Sequence, residues 1–431
     1  MAVPSSGQIS LNDINIAAGK PSESEANFGE LGLGAGFLDV SLGMNKFYGW
    51  FPNLIMLGSY LTAQSPAYSN DCGRNWTELD MSGWSPFRMM GVGFYDAHGF
   101  GTRNGETYAF SGQTNSAVTG TGTRRTFVSR DHGCTWEYTD VSANAYTNIF
   151  PDSSSGNLSF IGTGYAWDNN KGRSTDGEQT WTTVTNTTVM APYLCCSSSG
   201  QYIIGGMHNG WVKRSSDYGS SWTEQLSTTG VITVPACDDS GQYVIGWRAA
   251  SGGRFSLSTN YGATWANVSG VSQWCCGYIS PDSNFIVYTN ATDQTLNYST
   301  SQGGGGSPWT SIDISTEFPT TDETIYCYGC GSNTRVWLYL YNNASYTKVY
   351  SYTKGDGGIS EVFDYSSVLN GKAIQKIIPS KFYPDGQQIL LMRDTSGNLF
   401  HIPDALGTPV VTKIWDADIK EGDQTQFYTL H

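Results

Sequence analysis

Charge is scarce in this chain. Asp, Glu, Lys and Arg make up 14% of 431 residues, basic residues number 23 against 37 acidic ones, and histidine occurs 5 times. A net charge of −14 argues against an electrostatic grip on nucleic acid or on an anionic membrane, and the acidity serves solubility instead. No run of 18 apolar residues occurs, so no membrane-spanning helix and no membrane insertion are expected. The opening Met1-Ala-Val-Pro-Ser-Ser-Gly7 has no basic stretch leading into an apolar run, so a secretory signal is not expected there. The 9 cysteines are odd in number and include the adjacent pairs Cys195-Cys196 and Cys275-Cys276, unlike a secreted disulfide framework. Mostly free thiols in a protein made in a cytoplasm are expected. Glycine, tyrosine and tryptophan are abundant, at 52, 26 and 14. That is the profile of many short strands joined by tight turns.

One pattern recurs six times: a serine, an acid or its stand-in two residues later, a glycine, then a tryptophan. The copies run Ser69, Asp71, Gly73, Trp76; Ser129, Asp131, Gly133, Trp136; Ser174, Asp176, Trp181; Ser215, Asp217, Gly219, Trp222; Ser258, Asn260, Gly262, Trp265; and a stretched copy from Ser299 through Ser301 to Trp309. From the second copy onward the serines fall 45, 41, 43 and 41 residues apart. A fixed period of that size is the signature of a repeat architecture and points to a β-propeller.

Each copy has a local mechanism. The Asp side chain accepts backbone N–H bonds and closes a tight turn. Glycine supplies a positive φ at little steric cost. The tryptophan opens the next strand and buries its ring. Upstream lies a second recurring unit of two apolar strands around a small polar turn, as in Leu194-Cys195-Cys196 to Tyr202-Ile-Ile-Gly205 and Pro235-Ala-Cys237 to Tyr243-Val-Ile-Gly246. Each repeat thus supplies four antiparallel strands, the third ending at the serine and the fourth starting at the tryptophan. Two further units without the motif are read from Thr324 to Phe363 and from Ile377 to Trp415. The expected fold is all-β: one propeller of about eight, alternatively seven, four-stranded blades over residues 50–431. The first unit, Leu54 to Leu79, lacks an inner strand, which Phe427 to Leu430 could supply. The second repeat is longer, and residues Gly99 to Arg125 are read as an insertion forming a protruding hairpin or loop on one face. Its Arg103, Arg124 and Arg125 are candidate partner contacts on an acidic chain.

The turn motif resembles the Asp-box, or BNR, repeat of sialidases and many other propellers. The match is specific at 69–76, 129–136 and 215–222. Glu178 stands where the third copy should have glycine, Asn260 replaces the acid in the fifth, and the sixth carries Ser301 and extra residues.

Residues 1–49 lie outside the repeat. Isolated apolar residues, Ile9, Leu11, Ile14, Phe37, Val40, Phe47 and Tyr48, are spaced by Gly, Ser and Asn, too thinly to bury a core. They suit an extended arm that orders on a partner. The segment Ser6-Gly7-Gln8-Ile9-Ser10-Leu11-Asn12-Asp13-Ile14, with Phe47-Tyr48-Gly49, resembles an N-terminal module of tailed-bacteriophage virion proteins. The resemblance implies a virion component with residues 1–49 as the attachment arm to other virion proteins, present in several copies per particle. It also implies a propeller displayed for assembly or for a host-surface glycan or protein.

Candidate chemistry is weak by comparison. Turn carboxylates repeated once per blade lie far apart, whereas glycoside hydrolysis needs two within about 5–10 Å. Sialidases carry an Arg-Ile-Pro type motif ahead of the first box, but Phe87-Arg88-Met89-Met90 follows it and lacks the proline. Cys327-Tyr-Gly-Cys330 has half the spacing of a zinc site, with no second pair to complete four ligands. Cys196, Cys237 and Cys327 instead suit crowded inner-strand positions. Tyr95, Tyr165, Trp167 and Trp211 stand outside the repeat register as candidate exposed aromatics. The expectation is a non-enzymatic virion structural protein of the tail or its fibres, with no metal and no cofactor. The rivals are a sialidase-like virion glycan hydrolase and a cellular propeller scaffold.

Overall fold

The computed structural model describes residues 55–59, 67–69, 77–78, 88–89, 108–113, 124–129, 137–140, 148–151, 159–162, 171–176, 179–184, 194–206, 212–225, 234–247, 255–268, 275–302, 309–319, 325–329, 334–341, 343, 345–379, 390–394, 398–402, 411–415 and 425–429. Residues 1–49, and with them the arm, lie outside the described residues.

Short apolar runs separated by Ser-, Asp- and Gly-rich turns fold here as antiparallel strands. Among the described residues they group into eight four-stranded sheets. In the sheet of residues 194–225, Leu194–Cys196, Ile203–Gly206, Val212–Ser215 and Thr223–Gln225 pair in chain order. The sheets of residues 234–267, 275–313, 325–364 and 374–415 repeat that order. In all six motif copies the third strand ends at the repeat's serine, as at Ser69, Ser129, Ser174, Ser215, Ser258 and Ser299. This is the architecture of a β-propeller.

One sheet is assembled from both ends of the series. Ile55–Ser59, Ala67–Ser69 and Thr77–Glu78 supply three strands, and Thr425–Thr429 supplies the fourth. It pairs antiparallel with Ile55–Ser59 over five residue pairs, from Ile55 opposite Thr429 to Ser59 opposite Thr425. The pairing covers backbone groups that would otherwise form an open edge.

The expectation of a hairpin or loop protruding from the blade at residues Gly99 to Arg125 needs correcting, because the antiparallel pair there belongs to a four-stranded sheet. Tyr108–Gln113 is a strand in its own sheet, between Arg88–Met89 and Arg124–Ser129. Arg124 and Arg125 open a strand and pair with Gln113 and Gly112, so they are not part of a loop free of the blade. The ladder demands a second strand, and Tyr108–Gln113 supplies it. Arg103 lies outside the described residues.

The core lies between neighbouring sheets. Ile245, Phe255, Phe285, Val287, Leu296, Val336, Leu338 and Tyr352 form one buried cluster spanning three consecutive sheets. Cys195, Ile204, Val212 and Val244 join the sheet of residues 194–225 to the next. Trp337, Tyr339, Ile374, Ile377 and Phe400 carry the packing onward. Neighbouring sheets approach so closely at their inner strands that glycine is required there: a Cβ on Gly329 would stand 2.0 Å from the Tyr278 ring, and one on Gly277 2.4 Å from the Phe255 ring of the third strand in the preceding sheet.

Deleting residues 425–431 should leave Ile55–Ser59 as an unpaired edge. The expected result is a lower melting temperature and concentration-dependent self-association, read by thermal denaturation and light scattering. An unchanged, monomeric melt would show that the pairing does not close the molecule.

Candidate functional site

Turns joining first to second strands and turns joining third to fourth strands lie at the same end of each sheet. Tyr218 N donates to Gln201 O at 3.1 Å, and Tyr261 N to Gln242 O at 3.0 Å, linking the two turns of one sheet. This end holds most of the described polar groups that the sequence singled out.

In the 215–222 turn, Ser215 Oγ donates to Asp217 Oδ1 at 2.8 Å and accepts from Gly219 N at 2.8 Å. Asp217 Oδ1 also accepts from Ser221 N at 2.9 Å, and Asp217 Oδ2 from Ser221 Oγ at 2.6 Å. Trp222 Nε1 donates to Gly219 O at 3.1 Å, which fixes the ring at the start of the fourth strand. Asn260 reproduces this arrangement with one polarity reversed. Its Oδ1 accepts from Ser258 Oγ at 3.0 Å and Thr264 N at 2.9 Å, while its Nδ2 donates to Thr264 Oγ1 at 2.8 Å. In the third copy Asp176 keeps the bonds from Ser174 Oγ and Thr180 N, at 2.8 and 3.0 Å. Where glycine is replaced by Glu178, the buried Trp181 Nε1 has no partner among the described residues. In the sixth copy Ser299 Oγ accepts from Ser301 N at 3.3 Å, and Gly303 lies outside the described residues.

These bonds leave the carboxylates little spare chemistry. Burial pushes the Asp217 carboxyl up, but its bonds from Ser221 and Ser215 and the nearby Arg173 outweigh it and hold the group below the usual range. Asp176 is shifted the same way for the same reasons, without an arginine. Such groups stay ionised and occupied, unlike a catalytic acid.

Next to the glycine each described turn carries a residue at positive φ: Tyr218 at 58°, Tyr261 at 60° and Gln302 at 58°. Each is where its turn docks on the preceding sheet. Arg173 Nε donates to Tyr218 O. The Tyr261 ring stacks on Tyr202 with centroids 4.1 Å apart. Gln302 Oε1 accepts from Tyr243 OH at 2.7 Å. The adjoining Gly262 packs on the same neighbour, since a Cβ there would stand 2.9 Å from Ile204 Cγ1.

The first-to-second strand turns form a second line between sheets. Ser198 N donates to Asp239 O at 2.8 Å, and Asp239 N to Pro281 O at 2.9 Å. Within these turns Ser197 Oγ, Asp238 Oδ1 and Ser280 Oγ play one part, accepting from Tyr202, Tyr243 and Phe285 N at 3.1, 3.0 and 3.0 Å. Asp238 is the acid among two serines, it is buried, and burial pushes its carboxyl above the usual range. Sequence reasoning missed this group. The signal available was an acid standing where the aligned turns have serine.

The remaining candidates separate widely. Cys196, Cys276 and Cys327 are buried on inner strands as thiols, with Cys276 Sγ donating to Cys327 O at 3.6 Å. Trp265 packs against the cluster around Val212, and Trp309 packs edge-on against Tyr288 at 4.9 Å. Asp71, Gly73, Trp76, Asp131, Gly133 and Trp136 lie outside the described residues. So do Ile9, Leu11, Ile14, Phe37, Val40, Phe47, Tyr48, Tyr95, Tyr165, Trp167, Trp211 and Cys330. Among the described residues no group of three His, Cys, Asp or Glu side chains could hold a metal ion.

No family model matches the chain, and no curated protein does. Among solved structures it is similar to dihydro-heme d1 dehydrogenase NirN in complex with DHE, at 11% identity over 88% of this chain and 75% of that one, with a TM-score of 0.54. It is also similar to a chain of the mitotic checkpoint complex, at 11% identity over 73% and 90%, with a TM-score of 0.50. YCF48 bound to D1 peptide matches at 15% identity over 67% and 86%, with a TM-score of 0.42. At these identities the first two likenesses show the fold alone, a β-propeller.

Two substitutions test the turn chemistry. Asp217→Ala should cost about 1–3 kcal/mol through lost turn bonds. Asp217→Asn should cost less, because Asn260 already fills the equivalent place. The Asp217 contribution is present above the ordinary carboxylate pKa of about 3.9 and is lost as pH falls through its lower folded value. For Asp238 the sign reverses. Its ionised form opposes folding at neutral pH, so Asp238→Asn should stabilise there, with the gain vanishing as pH falls towards about 3.9. Urea denaturation at several pH values measures both, and a pH-independent difference for Asp238→Asn would refute its assignment.

Proposed function

We propose that this chain is a non-enzymatic bacteriophage virion structural protein, of the tail or its fibres. Residues 1–49 anchor it to other virion proteins, and the propeller, with each sheet as one blade, is displayed for assembly contacts or host-surface binding. The observation that carries this reading is the N-terminal segment Gln8 to Ile14, with its likeness to virion attachment modules, placed before a body of a different kind. The turn geometry supports the non-enzymatic part. The carboxylates that suggested hydrolysis, Asp176 and Asp217, spend both oxygens on their own turns. A rigid set of sheets holding polar turns at one end also suits recognition by loops.

The test is made on particles. Mass spectrometry of purified virions should find the full-length chain, and a variant lacking residues 1–49 should fold but be missing from them. Normal incorporation of the truncated chain would sink the arm as the attachment device. Turnover of fluorogenic glycosides by the purified chain would favour the hydrolase instead.

A further inference from the structure

Side chains of an inner strand alternate between the two neighbouring sheets, and at one interface this alternation brings two thiols together. Gly329 faces the sheet of residues 275–313, because a Cβ there would meet the Tyr278 ring. Cys327 stands two residues earlier on the same strand, Ile325–Gly329, and so faces the same way. Tyr278 faces the opposite way, towards the sheet of residues 325–364, and Cys276 stands two residues before it on Cys275–Ile279. Cys276 and Cys327 therefore point at each other from consecutive sheets.

The contacts agree. Cys276 Sγ donates to Cys327 O at 3.6 Å. Thr289, opposite Cys276 in the ladder, reaches across the same gap. Its hydroxyl donates to Ile325 O at 2.5 Å and accepts from Cys276 N at 3.3 Å, which holds the two inner strands together beside the sulfurs. Both cysteines are buried in one cluster. Bonds from the Cys327 thiol and from backbone groups pull the Cys276 thiol below the ordinary range, against the effect of its burial. Packing alone accounts for one small buried side chain on an inner strand. It does not call for two sulfurs facing each other, whereas a disulfide requires side chains that converge in this way.

We propose that Cys276 and Cys327 form an oxidation site that closes to a disulfide between consecutive sheets of the folded chain. The oxidant is a peroxide, small enough to reach a buried pair that bulkier reagents do not. The Cys276 thiolate attacks one peroxide oxygen, the O–O bond breaks, and the other oxygen takes the thiol's proton and leaves as water. The Cys327 sulfur then displaces the hydroxyl of the sulfenic acid, forming the S–S bond and giving its proton to a second water. Two thiols and one hydrogen peroxide become one disulfide and two waters. The bond joins positions 51 residues apart and so restricts the unfolded chain. The bond itself does not depend on the virion reading. Only its timing does: a chain made with reduced thiols would lock after release from the cell that made it.

The test treats the purified full chain with hydrogen peroxide under native conditions, and in parallel refolds it from urea in a glutathione redox buffer. Remaining thiols are blocked with N-ethylmaleimide, and tandem mass spectrometry of the unreduced peptides assigns each sulfur. Both samples should contain Cys276 joined to Cys327. The linked chain should melt roughly 5 °C above the reduced chain, and dithiothreitol should reverse the increment. Cys276→Ala and Cys327→Ala should each remove the link and the increment together. Absence of the link after refolding would show that the sulfurs do not meet, and its absence after peroxide that the folded chain does not close it. Either result overturns the proposal, as does pairing of Cys276 with Cys275 or Cys330.

Discussion

A serine hydroxyl at the end of a strand organises much of this molecule. Ser215 Oγ takes the amide of Gly219 and gives its proton to Asp217, so one atom closes the turn and orients the carboxylate. Asp217 in turn gathers Ser221, and the glycine carbonyl fixes Trp222. The turn then pushes its left-handed residue against the preceding sheet. Local hydrogen bonding thus becomes a contact between sheets. The aromatic and aliphatic packing of the core depends on sheets held at that spacing.

The same parts take different degrees of wear. Asn260 keeps the geometry because an amide oxygen can do what a carboxylate oxygen does, provided the facing hydroxyl turns its proton away. Trp181 loses its acceptor where Glu178 replaces glycine. The sixth copy puts Ser301 where the others have an acid or amide, yet Trp309 still packs against Phe255 and Tyr288. Ring packing persists where the turn residues have changed. This order follows from magnitudes: burying a tryptophan is worth several kcal/mol, and a net hydrogen bond about one.

Much of this was legible in the chain. The serine, acid, glycine and tryptophan of each copy announce a local device, and local devices leave local patterns. Apolar runs such as Val336 to Tyr341 gave the buried strands. The docking residues were not legible. Tyr218, Tyr261 and Gln302 are not one residue type, and what each touches is a neighbour 45 or 59 residues away in sequence. Asp238 escaped because it looks like one more turn acid until the aligned serines show it buried. The excess length of the second repeat was misread because glycine- and threonine-rich sequence hides the six-residue strand Tyr108–Gln113. Only its ladder partners reveal it.

The shared sheet has a topological consequence. Thr429 stands opposite Ile55, with the two strands antiparallel. A short turn could join them directly, converting the most non-local pairing of the molecule into an ordinary hairpin. New ends could then be opened at any exposed connection between sheets. For such a circular permutant, the slow search for a distant partner would become a local closure, and folding should accelerate with the ladder unchanged.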